Sequence, residues 1–186
     1  MKLKLSAALL AATVIVSPAL AKEILGVGTP DATQFRAKAT ASDAFEILSS
    51  TIAKTHATDP GLKAFAEMMI ADHTASTNEL VAIGGISKAS LETKMNAGPD
   101  GKWAANDLLD SDHANELNSL DSKSNDDFNK TYIDDQVKGH KDAVALLEDY
   151  AKNGDNAKLK AFAAKILPTV KMHLAKAEGL QKKLES

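Results

Sequence analysis

The chain has 186 residues, with 22 Lys and Arg against 25 Asp and Glu, five His, no Cys and few aromatic residues. The lack of Cys excludes disulfides, thiol nucleophiles and iron–sulfur clusters. No basic tract is present and aromatics are sparse, so no nucleic-acid partner is expected.

Residues 1–21 read as a secretory signal. Lys2 and Lys4 precede an apolar run from Leu5 to Val16, and Ala19-Leu20-Ala21 forms an A-x-A cleavage site before Lys22. The run falls short of the roughly 20 residues a membrane span needs, which disfavours the competing reading of an anchor. No Cys follows it, so lipid attachment through a cysteine is excluded. Cleavage leaves 20 basic residues against 25 acidic ones, a net charge of −5. The expectation is a soluble protein of the bacterial periplasm, with a linker over residues 22–30, one domain over residues 31–186 and no stable membrane anchor after cleavage.

Ala, Leu, Lys, Asp and Glu dominate and no strand-like alternation appears, so the fold class is all-α. A first helix is predicted from a cap at Asp31 to about Thr58. A second opens with Asp59-Pro60, a cap followed by proline at the first helical position, and stops at Gly84-Gly85. Residues 86–110 are mixed, with a loop at Gly98-Pro99-Asp100-Gly101. A short helix is predicted over Ser111 to Lys123. A third long helix runs from about Asn125 to Lys152 and closes at Asn153-Gly154. The fourth begins at Asp155 or Asn156 and continues nearly to Ser186. Pro168 inside it predicts a kink or bulge, because it removes one backbone hydrogen bond.

Asp59-Pro-Gly-Leu62-Lys-Ala-Phe65-Ala66 is echoed by Asp155-Asn-Ala-Lys-Leu159-Lys-Ala-Phe162-Ala163. Each follows one long helix and opens the next. The four long helices are therefore expected to form two similar antiparallel hairpins, assembled as a four-helix bundle with a short extra helix in the connection between them.

Each long helix carries one polar, metal-capable residue in the middle of its apolar stripe. The stripes run Phe35, Ala39, Ser42, Glu46, Ser49, Ala53; then Leu62, Ala66, Met69, His73, Ser76, Leu80; then Ile133, Gln136, His140, Ala143, Leu147; then Ile166, Val170, His173, Ala177, Leu180. Burying such groups without partners costs about 1–3 kcal/mol each, so four of them in four stripes are expected to satisfy one another. Glu46 and His73 both stand about 20 Å from the Asp59 turn, and His140 and His173 about 22 and 27 Å from the Asp155 turn. The four are expected at one level, at the end of the bundle away from both turns.

One Glu and three neutral imidazoles suit Zn²⁺, Cu²⁺, Fe²⁺ or Mn²⁺. Glu46, His73, His140 and His173 are the candidate ligands, and Asp72, Asp135 and Gln136 the candidate groups that orient the imidazoles. The alternative is a buried ion pair and His network that only fixes helix register. His56 reads as a cation at a helix end and His113 as a solvated residue beside the cap at Asp110. Nothing supplies the elbow and oxyanion loop of a serine hydrolase.

In order and spacing the chain resembles a bacterial exported family catalogued as domain of unknown function 4142. The residues that carry the resemblance are Ala44-Phe45-Glu46-Ile47, Leu62-Lys-Ala-Phe65-Ala66, Met69-Ile70-Ala71-Asp72-His73, Phe128-Asn129-Lys-Thr-Tyr132 with Gln136 and His140, and Leu159-Lys-Ala-Phe162-Ala163 with Leu167-Pro168 leading to His173. It covers roughly residues 31–182 and implies a ferritin-like four-helix bundle exported to the periplasm or outer membrane, with no established activity. Asn129 stands where the family usually has Asp. The Glu-x-x-His pairs of di-iron carboxylate bundles do not occur, so a standard di-iron centre is not expected.

Two functional readings follow. One is a periplasmic bundle binding a single transition-metal ion for storage, buffering or sensing. The other is a non-enzymatic envelope or stress protein that acts by binding an envelope protein partner, with Ile86–Asp110 as the partner-facing segment. A metal-dependent redox enzyme ranks third, since the sequence shows no substrate pocket and leans away from catalysis.

Overall fold

A computed structural model describes residues 28–84, 95–98, 101–106 and 108–186. The predicted leader, residues 22–27 of the linker and much of the 86–110 segment lie outside the described residues. Among the described residues the protein is all-helical, with five helices and no strand. They are α1 (Ala32–His56), α2 (Pro60–Ala82), α3 (Ser111–Asp121), α4 (Asn125–Asn153) and α5 (Ala157–Leu184).

The helix starts follow capping chemistry. Asp31 accepts from the backbone N–H groups of Thr33 and Gln34, while Gln34 accepts from the Asp31 N–H in return, a complete capping box. Asp59 accepts from Gly61 and Leu62 with Pro60 at the first helical position. Asp110 caps α3 through the His113 N–H, and Asn156 caps α5 through Lys158 and Leu159. The fourth long helix thus starts from Asn156, which leaves Asp155 free to accept from the Tyr150 hydroxyl and the Ala32 N–H. Helix α5 continues through Pro168.

Helix α1 packs on α2 and α4, α5 packs on α4 and α2, and α3 lies against α1 and α4. Three contacts fix the directions. Thr58, in the α1–α2 turn, donates its N–H to Asn129 at the start of α4 and accepts from the Asn129 amide. At the same end Lys183, late in α5, reaches Asp59. At the other end Ala32, opening α1, donates to Asp155 in the α4–α5 turn. The two turns therefore stand at opposite ends of the molecule, not at one end as the height comparison assumed. Residues about 20 Å from one turn and 22–27 Å from the other then meet at mid-height.

That level divides the apolar interior. One core cluster, toward the α1–α2 turn, includes Phe45, Leu48, Leu62, Phe65, Met69, Phe128 and Tyr132, with Leu117 and Leu120 of α3. The other, toward the α4–α5 turn, includes Phe35, Leu80, Tyr150, Leu159 and Phe162, with Phe35 stacked on Tyr150 at 3.9 Å between ring centroids. Between them lie the buried polar residues Asp43, Glu46, His73, His140 and His173.

Candidate metal centre

His73 of α2, His140 of α4 and His173 of α5 come together from three helices, their ring centroids 5.5–5.7 Å apart. All three are buried, at most 5% exposed. One ring nitrogen from each lies within 4.8 Å of the other two.

The outward-facing nitrogens are each held by a group that only accepts hydrogen bonds. His73 donates Nδ1–H to Asp43 Oδ1 at 2.7 Å. His140 donates Nδ1–H to the Gln136 carbonyl at 2.8 Å, four residues back on its own helix. His173 donates Nε2–H to Asp72 Oδ2 at 2.8 Å. A carboxylate or carbonyl partner fixes the tautomer, so in each neutral ring the remaining nitrogen carries a lone pair. Those nitrogens, His73 Nε2, His140 Nε2 and His173 Nδ1, are buried and have no hydrogen-bond partner. With all three rings neutral, three buried acceptors are thus left without a donor.

Electrostatics separate the rings. Burial, with the charge of His73, pushes His140 down to about 4, and burial pushes His173 down to about 4 against its hydrogen bond to Asp72. Burial also disfavours charge on His73, but the hydrogen bond and charge of Asp43, with Glu46 and Asp72, outweigh it and raise its pKa. Two of the three rings are thus neutral near neutrality, while His73 is held more readily in its charged form.

Glu46 stands outside this triplet. Its Oε1 is 3.6 Å from His140 Nδ1, the nitrogen already bonded to the Gln136 carbonyl. Its height on α1 matches the three His, but it points along the α1–α4 contact. There Gly139 admits it, since a Cβ on Gly139 would lie 3.0 Å from Oε1. Burial raises the Glu46 carboxyl to about 7 against the opposing charge of His73 and a hydrogen bond from Gln136.

The residues expected to orient the imidazoles divide. Asp72 holds His173. Gln136 acts through its backbone carbonyl, while its side-chain amide donates to Ser49 Oγ. Asp135 faces a cleft of about 240 Å³ between α1, α3 and α4, with Glu46, His113, Glu116 and Lys138, and burial beside Glu116 raises its carboxyl to about 6.

Asp43 is the residue that the sequence reading missed. Only 6% exposed, it holds His73, and the Thr77 hydroxyl lies 3.2 Å from its Oδ2. It lies off the stripe defined by steps of three and four, beside Ser42. Its signal is height, since Asp43 and His73 stand about 24 and 21 Å from the Asp59 turn on antiparallel helices. His56 caps its helix end near Asp121, and His113 sits 2.9 Å from Asp110 against the Phe45 ring.

A second cleft of about 240 Å³ opens on the α2–α5 seam and reaches Asp43, His73 and His173 from solvent, past Glu79 and Lys165. No described helix is long and apolar enough to cross a membrane.

Neither a curated protein nor a solved structure matches the chain. A family model described as a domain of unknown function, DUF4142, matches residues 20–180. With that match spanning most of its length, the chain belongs to the DUF4142 family.

Proposed function

We propose that this protein binds one transition-metal ion through His73 Nε2, His140 Nε2 and His173 Nδ1, as an exported, periplasmic protein that buffers, stores or senses the metal. The observation that carries the reading is that one nitrogen from each of three buried rings lies within 4.8 Å of the other two, while every ring keeps one partnerless nitrogen and is pinned through its other by an acceptor. A point equidistant from three such atoms lies at most about 2.8 Å from each. Shifts of roughly 0.7 Å therefore bring them to the 2.0–2.1 Å of a metal–imidazole bond. Imidazoles held through their second nitrogen are the usual arrangement around such ions. All-nitrogen donors favour Zn²⁺ and Cu²⁺, and equally admit Fe²⁺. Glu46 moves from the ligand set to the surroundings of His140.

The helix directions and the long α2–α4 connection support a ferritin-like four-helix bundle as the scaffold, with the site on its axis. A second reading, in which the polar layer only fixes register, draws on the Asp43–His73 contact that ties α1 to α2. That protein would act through an envelope partner and not as an enzyme.

The deciding experiment is elemental analysis of untagged protein after dialysis and reloading with Zn²⁺ or Cu²⁺. One metal per chain, lost in His73→Ala and His140→Ala while helicity is kept, is the expected result. Wild type that stays empty after reloading refutes the metal reading.

A further inference from the structure

One helical turn from the three imidazoles, toward the α4–α5 turn, the interior is not filled. A cavity of about 20 Å³ is lined by Ser42, Ser76, Ala143 and Val170, with His73 and Asp43 also in its wall. Ser76 and Ala143 follow His73 and His140 by three residues, and Val170 precedes His173 by three. The cavity therefore lies about 5 Å along the helix axes from the level of the rings. Its size suits one water molecule, which needs roughly 10–15 Å³. On the opposite side of the rings the space is taken by Ser49, Met69, Gln136 and Ala177, each at 0% exposure.

Two further observations give this asymmetry chemical meaning. The Ser76 hydroxyl in the cavity wall is buried and has no hydrogen-bond partner. The cavity also shares Asp43, His73, Ser76 and Ile166 with the cleft on the α2–α5 seam, which leads to solvent. Three nitrogen donors leave a tetrahedral ion one position short.

We propose that the metal held by His73, His140 and His173 keeps its fourth coordination position open toward this cavity, for one small exogenous ligand: a water at rest, displaced by a small anion. The inference rests on the metal reading above. Ser76 then donates its hydroxyl to the bound ligand, and the α2–α5 cleft is the entry route. The dimensions of the cavity set the selectivity: a two- or three-atom anion enters and a ring-sized one does not.

The test loads the full chain with Cu²⁺ and titrates it with azide, following the azide-to-copper charge-transfer band and the copper electron paramagnetic resonance spectrum. A saturable band is expected in wild type. Ser76→Leu and Ala143→Leu, which fill the cavity from two helices, keep one copper per chain and weaken azide by about tenfold or more. Copper that never binds refutes the metal reading itself. Copper bound with nitrogen hyperfine structure but silent to azide overturns the open position alone, because a side chain then occupies it. Unchanged azide affinity in both leucine variants overturns the entry through this cavity. If either variant fails to fold, benzoate titrated into wild type answers instead: exclusion supports the cavity, and binding as tight as azide overturns it.

Discussion

Removing the Asp43 carboxylate tests whether His73 is held as a ligand must be held. Asp43 and His73 are 6% and 5% exposed and meet at 2.7 Å, so little water reaches either group. In Asp43→Ala the His73 Nδ1–H and the Thr77 hydroxyl both lose their acceptor on α1. Breaking a buried pair from one side costs about 3–5 kcal/mol. The methyl left by Ala also opens space beside a small cavity that water can enter, so the low end, about 3 kcal/mol, is expected for the metal-free protein. Loss of the group behind a ligating imidazole weakens metal about 10- to 100-fold. Asp43→Asn keeps a carbonyl to accept from Nδ1–H, so it is expected to lose about half as much stability and to bind metal more tightly than Asp43→Ala. Urea denaturation with and without saturating metal, together with competition against a chromophoric chelator, reads both quantities. A metal-free Asp43→Ala variant within about 0.5 kcal/mol of wild type, or an unchanged metal affinity, would refute the argument that this contact orients the ring.

Two more predictions concern the same layer. The metal-free protein should be most stable near pH 6.5. His140 and His173 fall from 6.5 to about 4, so below pH 6.5 the unfolded chain binds two more protons than the folded one; Glu46, raised from 4.5 to about 7, opposes them by one, and Asp135, raised from 3.8 to about 6, by one more below pH 6. The protons therefore nearly balance between about pH 6 and 4.5, and stability there is close to flat. Above 6.5 the raised His73 and Glu46 lose their protons, and stability falls as pH rises. Glu46→Gln should expose an acid slope of about 1.4 kcal/mol per pH unit between about pH 6 and 4.5, and chemical denaturation of that variant that is flat from pH 5 to 8 would contradict the assignment. Gly139→Ala should bring no gain in wild type, because its Cβ meets Glu46 Oε1 at 3.0 Å. In a Glu46→Ala background the same change should stabilise by about 1 kcal/mol, the ordinary helix preference of Ala over Gly, and equal effects in both backgrounds would exclude the contact.

Helix positions, and the sharing of one level by the polar residues, were legible because they rest on short-range rules, whereas the place of that level along the molecule was not. Asp31, Asp59 and Asp110 cap where a carboxylate precedes an apolar repeat, and the stripe positions Met69, Ile133, Leu147 and Ala177 are all buried. The orientation of Glu46 was not legible. Its stripe placed it at the right height, but a helical residue also has an azimuth, and the close approach allowed by Gly139 turns it toward α4. Asp43 was hidden for the complementary reason. It sits between two stripe positions, and only the direction of α2 relative to α1 shows that it faces His73. The direction of the second hairpin was equally beyond a periodicity argument, because it depends on the long connection before α4, whose length permits return to either end.

The layer as built bears on why it is there. A polar network that serves only to fix register pairs donors with acceptors until every buried group is satisfied, as Asn129 does with both the N–H and the hydroxyl of Thr58. The three imidazoles are arranged otherwise. Each has spent its donor on an outward acceptor, Asp43, Asp72 or the Gln136 carbonyl, and so presents a lone pair to two other lone pairs. Turning any one ring to bring a donor inward would leave its outer acceptor unpaired, so no choice of neutral tautomers satisfies all six nitrogens. Only a cation at the centre, a proton shared through His73 or a metal ion, removes the mismatch. A single proton bridges two nitrogens and leaves the third without a partner, whereas a metal ion engages all three. The two apolar cores on either side enclose this frustrated layer and limit how far its rings can move. That is the condition under which a site can be preorganised and still gain its full binding energy from the ion.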